Sequence, residues 1–107
     1  MTYLGGAFVY MLQCADGAYY IGSHRGDDLQ VRVAEHNSGY RKKAWTYRRR
    51  PVALVWSEHF TLITDAIACE RRLKGWSRAK KEALIAGDYA RIVELSNAKP
   101  RSPRPSS

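Results

Sequence analysis

Residues 7–23 read AFVYMLQCADGAYYIGS, and this stretch decides the fold. Two runs rich in strand-forming residues, Ala7 to Cys14 and Ala18 to Ser23, flank the segment Ala15-Asp16-Gly17. Asp followed by Gly is a turn signal, and β-branched and aromatic residues favour extended backbone on either side of it. The pattern therefore predicts a β-hairpin.

Two tyrosines fall on the paired strands of this hairpin, Tyr10 on the first and Tyr20 on the second. Their hydroxyls can approach each other if the register places both side chains on the same face of the sheet. Tyrosine is also common in strands simply because it packs well there. The hairpin alone leaves both interpretations open.

Caps, stops and apolar spacing predict four helices and one further strand after the hairpin. The first helix is capped by Asp28, runs to about Ser38 and is stopped by Gly39, and a strand follows from Pro51 to His59 with Val52, Leu54 and Trp56 at alternate positions. The second helix is capped by Thr64, has Asp65 in its first turn and ends near Gly75. The third helix is capped by Ser77 and runs to about Ala86 before Gly87, and a short fourth helix runs from Asp88 through Leu95.

The first predicted helix places a guanidinium and an imidazole on one edge. Leu29, Arg32, Val33 and His36 follow the spacing i, i+3, i+4 and i+7, so all four lie on one face. Arginine and histidine side by side suit contact with a phosphate group. A structural role, with the arginine stem packed beside the core, is an equal alternative.

Glu70 interrupts an apolar stripe on the second predicted helix. Ala66, Ile67 and Leu73 complete this stripe, and glutamate is seldom buried without a partner. A salt bridge to a nearby arginine satisfies the carboxylate structurally, and a divalent cation satisfies it functionally. Together with Arg32, the tyrosine hairpin and the basic residues described next, the position favours the metal.

Positive charge is concentrated in the middle of the chain. The formal net charge is +8, and the segment from Arg41 to Lys81 holds twelve Lys/Arg against three Asp/Glu. Aromatic residues interleave with these charges at Tyr40, Trp45, Tyr47 and Trp76. This pattern favours a nucleic acid partner over a merely solubilising surface. The candidate nucleic-acid-binding residues are Arg41, Lys42, Lys43, Arg48, Arg49, Lys74 and Lys80.

Length and composition narrow the class of protein. At 107 residues the chain predicts one domain over residues 1–97, followed by a disordered basic tail at 98–107 that has no apolar residue able to anchor it. No apolar run long enough to span a membrane and no secretory leader are visible, which predicts a soluble, cytoplasmic protein. Cys14 and Cys69 lack the spacing of a zinc site or a disulfide framework, so free thiols are expected.

These features in their order along the chain resemble the GIY-YIG nuclease superfamily, most closely its small stand-alone bacterial members of the UPF0213 type. The resemblance runs from about Phe8 to Ile85. It rests on Phe8-Val9-Tyr10, Tyr20-Ile21-Gly22, Arg32, Glu35-His36-Asn37-Ser38-Gly39, Arg50-Pro51-Val52, Glu70-Arg71-Arg72-Leu73-Lys74-Gly75-Trp76 and Ser77-Arg78-Ala79-Lys80-Lys81. Phe8 stands where the name-giving triplet begins with glycine.

The resemblance implies a fold and a chemistry. The implied fold is α/β of the α+β kind, a three-stranded antiparallel sheet flanked by helices. Tyr10 and Tyr20 would be the motif tyrosines, Arg32 would contact the scissile phosphate, His36 would assist catalysis, and Glu70 would bind a single Mg²⁺ or Mn²⁺ ion.

The function implied is metal-dependent hydrolysis of phosphodiesters in DNA, as a nick or as a cut in single-stranded or branched DNA, with weak sequence preference. One site makes one cut, so a monomer or weak dimer is expected, and a protein partner could direct the enzyme to its target. The alternatives are a nucleic-acid-binding module with little or no catalysis, and a protein-binding adaptor that uses Trp45, Trp56 and Trp76 as anchors.

Overall fold

The computed structural model describes residues 6–26, 28–39 and 45–97. It contains three strands, β1 (Ala7–Cys14), β2 (Tyr19–His24) and β3 (Val52–Phe60). Its four α-helices are α1 (Leu29–Ser38), α2 (Ile63–Lys74), α3 (Arg78–Ala86) and α4 (Tyr89–Asn97), and a short 3₁₀ turn covers Tyr47–Arg49. The strand order is β2-β1-β3 with both pairings antiparallel, which confirms the predicted α+β class.

Local signals explain most helix ends. The Asp28 side chain accepts a hydrogen bond from the Gln30 backbone N–H, and Ser77 caps α3 in the same way through Lys80. Gly39 and Gly87 end α1 and α3 in the left-handed conformation that glycine adopts without strain. These caps and stops are the ones that the sequence predicted.

The start of α2 differs from the prediction. Thr64 was expected to cap this helix, but the capping position is Leu62, whose side chain makes no capping hydrogen bond. Thr64 and Asp65 therefore both lie inside the first turn. The helix start is set by where the chain leaves β3 and packs on the sheet, and α2 contacts all three strands.

β3 contains an irregularity that changes which side chains share a face. Leu54 pairs with Leu12 and Trp56 pairs with Met11, so one extra residue, Val55, is inserted in β3. Alternate spacing predicted Val52, Leu54 and Trp56 on one face. The bulge moves Trp56 to the face of Met11, opposite to that of Leu54.

The chain forms two compact units, Met1–Gly75 and Trp76–Ser107. In the first unit, alternate residues of β1 form a core with Leu29 of α1 and Val52 of β3, and Phe8, Tyr20, Val33 and Leu54 pack against it. Tyr10 and Leu12 belong to this core, while Val9 and Met11 on the opposite face of β1 are also fully buried. In the second unit α3 packs against α4. Residues 98–107, where a basic tail was predicted, lie outside the described part of the chain.

No helix among the described residues combines the length and the apolar character that a membrane span requires. Cys14 and Cys69 are free thiols, as predicted. Burial raises the pKa of both thiols, with smaller increases from the nearby Asp16 and Glu58 carboxylates respectively.

Candidate active site

The hairpin register places the two motif tyrosines on the same face. Tyr10 pairs with Gly22 and Leu12 pairs with Tyr20, so Tyr10, Leu12 and Tyr20 share one side of the sheet. The Tyr10 and Tyr20 ring centroids are 6.2 Å apart, with the rings tilted by 43°. The structure thus brings together the two tyrosines that the sequence singled out.

Gly22 makes the room for this pair. A Cβ atom at position 22 would lie 2.6 Å from the Tyr10 hydroxyl oxygen and 2.9 Å from a ring carbon of Tyr20. Those separations are well inside van der Waals contact, so only glycine is compatible with both rings as they stand. Gly22 belongs to the Tyr20-Ile21-Gly22 motif, but no role was predicted for it from the sequence. A glycine inside a strand was the available signal, because it often marks a close approach of another group.

α1 brings His36 onto the tyrosine pair. His36 Nε2 lies 3.1 Å from the Tyr10 hydroxyl oxygen, and the imidazole packs edge-on against Tyr20 with ring centroids 5.3 Å apart. The Tyr10 ring also meets the imidazole edge-on, at 6.1 Å. His36 therefore contacts both tyrosines and hydrogen bonds to one of them.

Arg32 lies one helical turn before His36 and acts on the same phenol. It lies close enough to Tyr10 for its positive charge to favour the phenolate and to lower the pKa of the phenol. Its Nε lies 3.3 Å from Glu35 Oε1, on the partly exposed side of the helix. The predicted proximity of Arg32 and His36 is observed, and their shared neighbour is the Tyr10 hydroxyl.

Tyr10 is an unusually weak acid in this environment. Its side chain is 1% exposed. Burial raises the pKa of Tyr10 to about 12, Tyr20 and Glu70 add smaller increases, and Arg32 lowers it. At neutral pH the Tyr10 phenol is therefore protonated.

Glu70 is close enough for its charge to reach Tyr10, although it lies on a different element. Its side chain is 20% exposed, and its Oε2 lies 2.8 Å from Lys74 Nζ one turn further along α2. A salt bridge was one of the two predicted ways to satisfy this carboxylate, but its partner is a lysine and not an arginine. The predicted apolar stripe holds at Ala66 and Leu73, which are buried, and fails at Ile67, which is 42% exposed.

The donor set around Glu70 bears on whether a metal ion fits. Within residues 6–26, 28–39 and 45–97, no group of three or more His, Cys, Asp or Glu side chains could form a protein-only metal site. Mg²⁺ does not require one, because it keeps several waters and is commonly bound by one or two carboxylates together with substrate phosphates. Glu70 is partly exposed, and its partner Lys74 is a flexible, largely exposed side chain that can move aside. The residues therefore fit a Mg²⁺ or Mn²⁺ ion that is completed by substrate.

Two residues at the site were not predicted to lie there. Thr46 is 1% exposed, and its Oγ1 lies 2.8 Å from His36 Nδ1. The neighbouring Trp45 stacks on Tyr20, with ring centroids 5.9 Å apart and an interplanar angle of 23°. From the sequence, Trp45 was predicted only as an aromatic among basic residues and as an anchor of the adaptor alternative, and Thr46 was not predicted at all. Both lie in a loop segment without periodicity, so no sequence signal tied them to the tyrosines.

The candidate nucleic-acid-binding residues are not equivalent. Arg48 is exposed. Arg49 packs over Trp45 at 3.9 Å from the ring centroid, and its Nε lies 3.1 Å from Asp16 Oδ2. Lys74 pairs with Glu70, and in the second unit Lys80 lies 5.4 Å from the ring centroid of Trp76. Arg41, Lys42 and Lys43, together with Tyr40, lie outside the described residues.

Comparison with known proteins identifies the family. Residues 6–83 match the model of the GIY-YIG catalytic domain, and this range contains the tyrosine hairpin, α1 and Glu70. The chain is 47% identical over 77 residues to a UPF0213 protein of Halobacterium salinarum, an alignment that covers 72% of this chain and 96% of the relative. It is 44% identical over 78 residues to a UPF0213 protein of Bacillus pumilus, covering 73% and 76% of the two chains.

A solved structure has a similar fold. The solution NMR structure of a protein from E. faecalis is similar with a TM-score of 0.51 and 27% sequence identity, over 94% of this chain and 97% of that one. The sequence resemblance, the fold and the family match thus concur, and the chain belongs to the GIY-YIG family, among relatives of the UPF0213 type.

Proposed function

We propose that this chain is a divalent-metal-dependent endonuclease that hydrolyses phosphodiesters in DNA one strand at a time, with weak sequence preference. The proposal rests on one observation. The Tyr10 hydroxyl lies 3.1 Å from His36 Nε2 and is within range of the charges of Arg32 and Glu70. This arrangement supports roles for His36 as a proton carrier, for Arg32 as a cation that binds phosphate and for Glu70 as a metal-binding carboxylate.

Tyr10 accepts the proton of the attacking water in this scheme. A free phenolate is disfavoured, because the pKa of Tyr10 is raised to about 12. Tyr10 can nevertheless act near neutral pH if its own proton passes to His36 Nε2 as it takes one from water. The water oxygen then forms the new bond to phosphorus, the bond to the 3′ oxygen breaks, and the departing 3′ oxygen takes up a proton from solvent. His36 ends the step protonated.

Arg32 and Tyr20 position and stabilise the phosphate. Arginine is always charged and presents several N–H donors, so Arg32 can bind the non-bridging oxygens as negative charge builds up on them. Its pairing with Glu35 leaves other guanidinium donors for this contact. Tyr20 packs against the His36 imidazole, and its hydroxyl can donate a hydrogen bond to the water or to the phosphate.

Glu70 would hold the cation. A Mg²⁺ or Mn²⁺ ion supplies charge stabilisation for the phosphate and the departing oxygen. The carboxylate has to exchange its salt bridge with Lys74 for the ion, and the released ammonium becomes available to a DNA phosphate.

Sequence readout should be weak in this scheme. The groups identified around Tyr10 are suited to the phosphate, and the basic side chains of the chain contact backbone charge irrespective of base identity. DNA shape and strand accessibility would then select the substrate. A nick, or a cut in single-stranded or branched DNA, is the expected product.

The test is cleavage of supercoiled plasmid and of a single-stranded oligonucleotide with Mg²⁺, with Mn²⁺ and with chelator. Wild-type protein should nick only with metal, and Glu70→Gln should lose about 10²- to 10³-fold in rate, as is typical when one electrostatic contact to the transition state is removed. DNA binding by the variant, measured in chelator, should be retained.

Glu82→Gln is the matched control. It also removes the carboxylate of an i,i+4 ion pair, that with Arg78 at 3.1 Å, but on α3. Its cleavage rate should equal that of wild type. DNA binding that needs no metal, with no cleavage by wild type or variant, would instead support the nucleic-acid-binding module. Binding to a protein that survives high salt would support the protein adaptor.

A further inference from the structure

We propose that Thr46 is a positioning residue that holds the His36 imidazole in the Nδ1–H tautomer, so that Nε2 accepts the Tyr10 hydroxyl proton. The consequence for catalysis rests on the proposed function. The tautomer itself does not, because it follows from the hydrogen bonds of the folded protein alone.

The direction of the bonds follows from what each group can donate. Arg32 lies close enough to Tyr10 for its charge to act on the phenol. A guanidinium has N–H donors and no acceptor, so it attracts the lone pairs of the phenol oxygen and turns the hydroxyl hydrogen away from itself. The proton of the Tyr10 hydroxyl must then go to a different partner, since buried polar groups are almost always hydrogen-bonded. In the described part of the chain, the acceptor within reach of that hydroxyl is His36 Nε2, at 3.1 Å.

An imidazole that accepts at Nε2 and is neutral carries its hydrogen on Nδ1. Thr46 Oγ1 lies 2.8 Å from Nδ1 and is placed to accept that hydrogen. Which ring nitrogen of a histidine is protonated is set by the hydrogen bond that the other nitrogen makes. Thr46 therefore controls the atom that faces Tyr10 although it does not touch Tyr10 itself.

The surroundings keep Thr46 in place. Its side chain is 1% exposed, and its backbone carbonyl accepts a hydrogen bond from Arg49 N–H at 2.9 Å at the start of the 3₁₀ turn. Arg49 in turn donates from Nη1 to the Trp45 carbonyl at 3.2 Å and pairs with Asp16 of the hairpin turn. The hydroxyl is thus held in place by its own segment, which is the arrangement expected of a positioning residue.

The direct test is ¹⁵N NMR of the histidine side chains at a pH of about 8.5, well above the ordinary imidazole pKa of about 6.5. The chain has three histidines, and the His36 signals are identified by their loss in His36→Gln. Wild-type His36 should show a protonated Nδ1 and an unprotonated Nε2. Thr46→Val keeps the shape but removes the acceptor, so its His36 signals should shift toward the Nε2–H tautomer, and Thr46→Ser should restore the wild-type pattern.

Cleavage provides the second readout. Thr46→Val should lower kcat about 10²-fold, the lower end of what a positioned proton carrier contributes, with little change in KM. Thr46→Ser should recover most of that loss, and Thr64→Val on the exposed side of α2 should behave as wild type. The melting temperature of each variant shows whether a loss of cleavage comes from unfolding or from a changed His36 tautomer in folded protein.

Two results would overturn the inference. One is an Nε2–H tautomer in the wild-type protein, and the other is an unchanged His36 spectrum in folded Thr46→Val. If the wild-type protein cleaves no DNA while the spectra behave as expected, the proposed function fails and the assignment of Thr46 stands.

Discussion

Gly22 lies directly opposite Tyr10 in the hairpin, where any side chain would meet the phenol oxygen. Gly22→Ala should therefore push Tyr10 and Tyr20 apart. Forcing a methyl group into a filled site typically costs about 1–3 kcal/mol. We expect a lowered melting temperature and a loss of cleavage larger than the loss of folded protein explains, because the Tyr10 to His36 hydrogen bond depends on the same ring position.

Gly75→Ala is the matched control for this substitution. A Cβ atom at Gly75 would meet the Arg72 carbonyl oxygen at 3.6 Å, an ordinary contact, and its φ of −88° suits any residue. The control should be neutral or slightly stabilising. If both alanine variants cleave DNA at the same rate, the space at Gly22 does not determine how the tyrosines are arranged.

Some of these residues could be singled out from the sequence, and others could not. Glu70 could be predicted as a candidate site residue because a carboxylate within an apolar stripe breaks the pattern. Tyr10 and Tyr20 could be predicted as candidates because they lie on the paired strands of a hairpin. Thr46 breaks no pattern, since it lies in a loop, and its importance comes from His36, ten residues earlier in the chain. A contact of this kind exists only once two separate segments have folded against each other.

At the scale of elements, one side chain ties α1 to β3. Asn37 donates from Nδ2 to the Val52 carbonyl at 2.9 Å, and its Oδ1 accepts the Val52 backbone N–H at 2.7 Å. Asn37→Ala removes both bonds at the point where β3 begins. We expect a loss of about 1–3 kcal/mol in the free energy of unfolding, measured by urea titration, because two backbone groups lose their partner.

Asn97→Ala, at the exposed end of α4, controls for the loss of an asparagine as such. It should leave the unfolding free energy within about 0.5 kcal/mol of wild type, as is usual for surface positions. Equal destabilisation by the two variants would mean that the bonds to Val52 contribute nothing particular.

Most of the helices and strands could be predicted from the sequence, because the residues that begin and end them act locally. Asp28 and Ser77 cap helices, and Gly39 and Gly87 end them, through contacts within a few residues. The bulge at Val55 could not be predicted, because it depends on which residues of β1 pair with β3. It places the Trp56 side chain on the opposite face of the sheet from that of Leu54. The first turn of α2 was misplaced for a similar reason, because its start lacks a side-chain cap and depends on packing.

At the scale of the whole molecule, a net charge of +8 favours a polyanionic partner, but basic residues contribute only where they are free to meet it. Arg49 is held by Trp45 and Asp16, and it also supports the segment that carries Thr46. Arg48, its neighbour in the 3₁₀ turn, is exposed. These two adjacent arginines should therefore behave differently when each is replaced by glutamine.

Arg48→Gln should weaken DNA binding without changing the melting temperature. Each phosphate contact contributes about 0.7–0.9 to the slope of log K against log salt concentration, so the slope should become shallower by about that amount. Arg49→Gln should mainly lower the melting temperature, because it removes an ion pair, a ring contact and a hydrogen bond. Arg91→Gln, whose arginine pairs with Glu94 on α4, serves as the control for a lost surface charge. Identical salt slopes for Arg48→Gln and Arg91→Gln would show that Arg48 does not contact the DNA backbone, and binding would then have to be assigned to other basic residues of the chain.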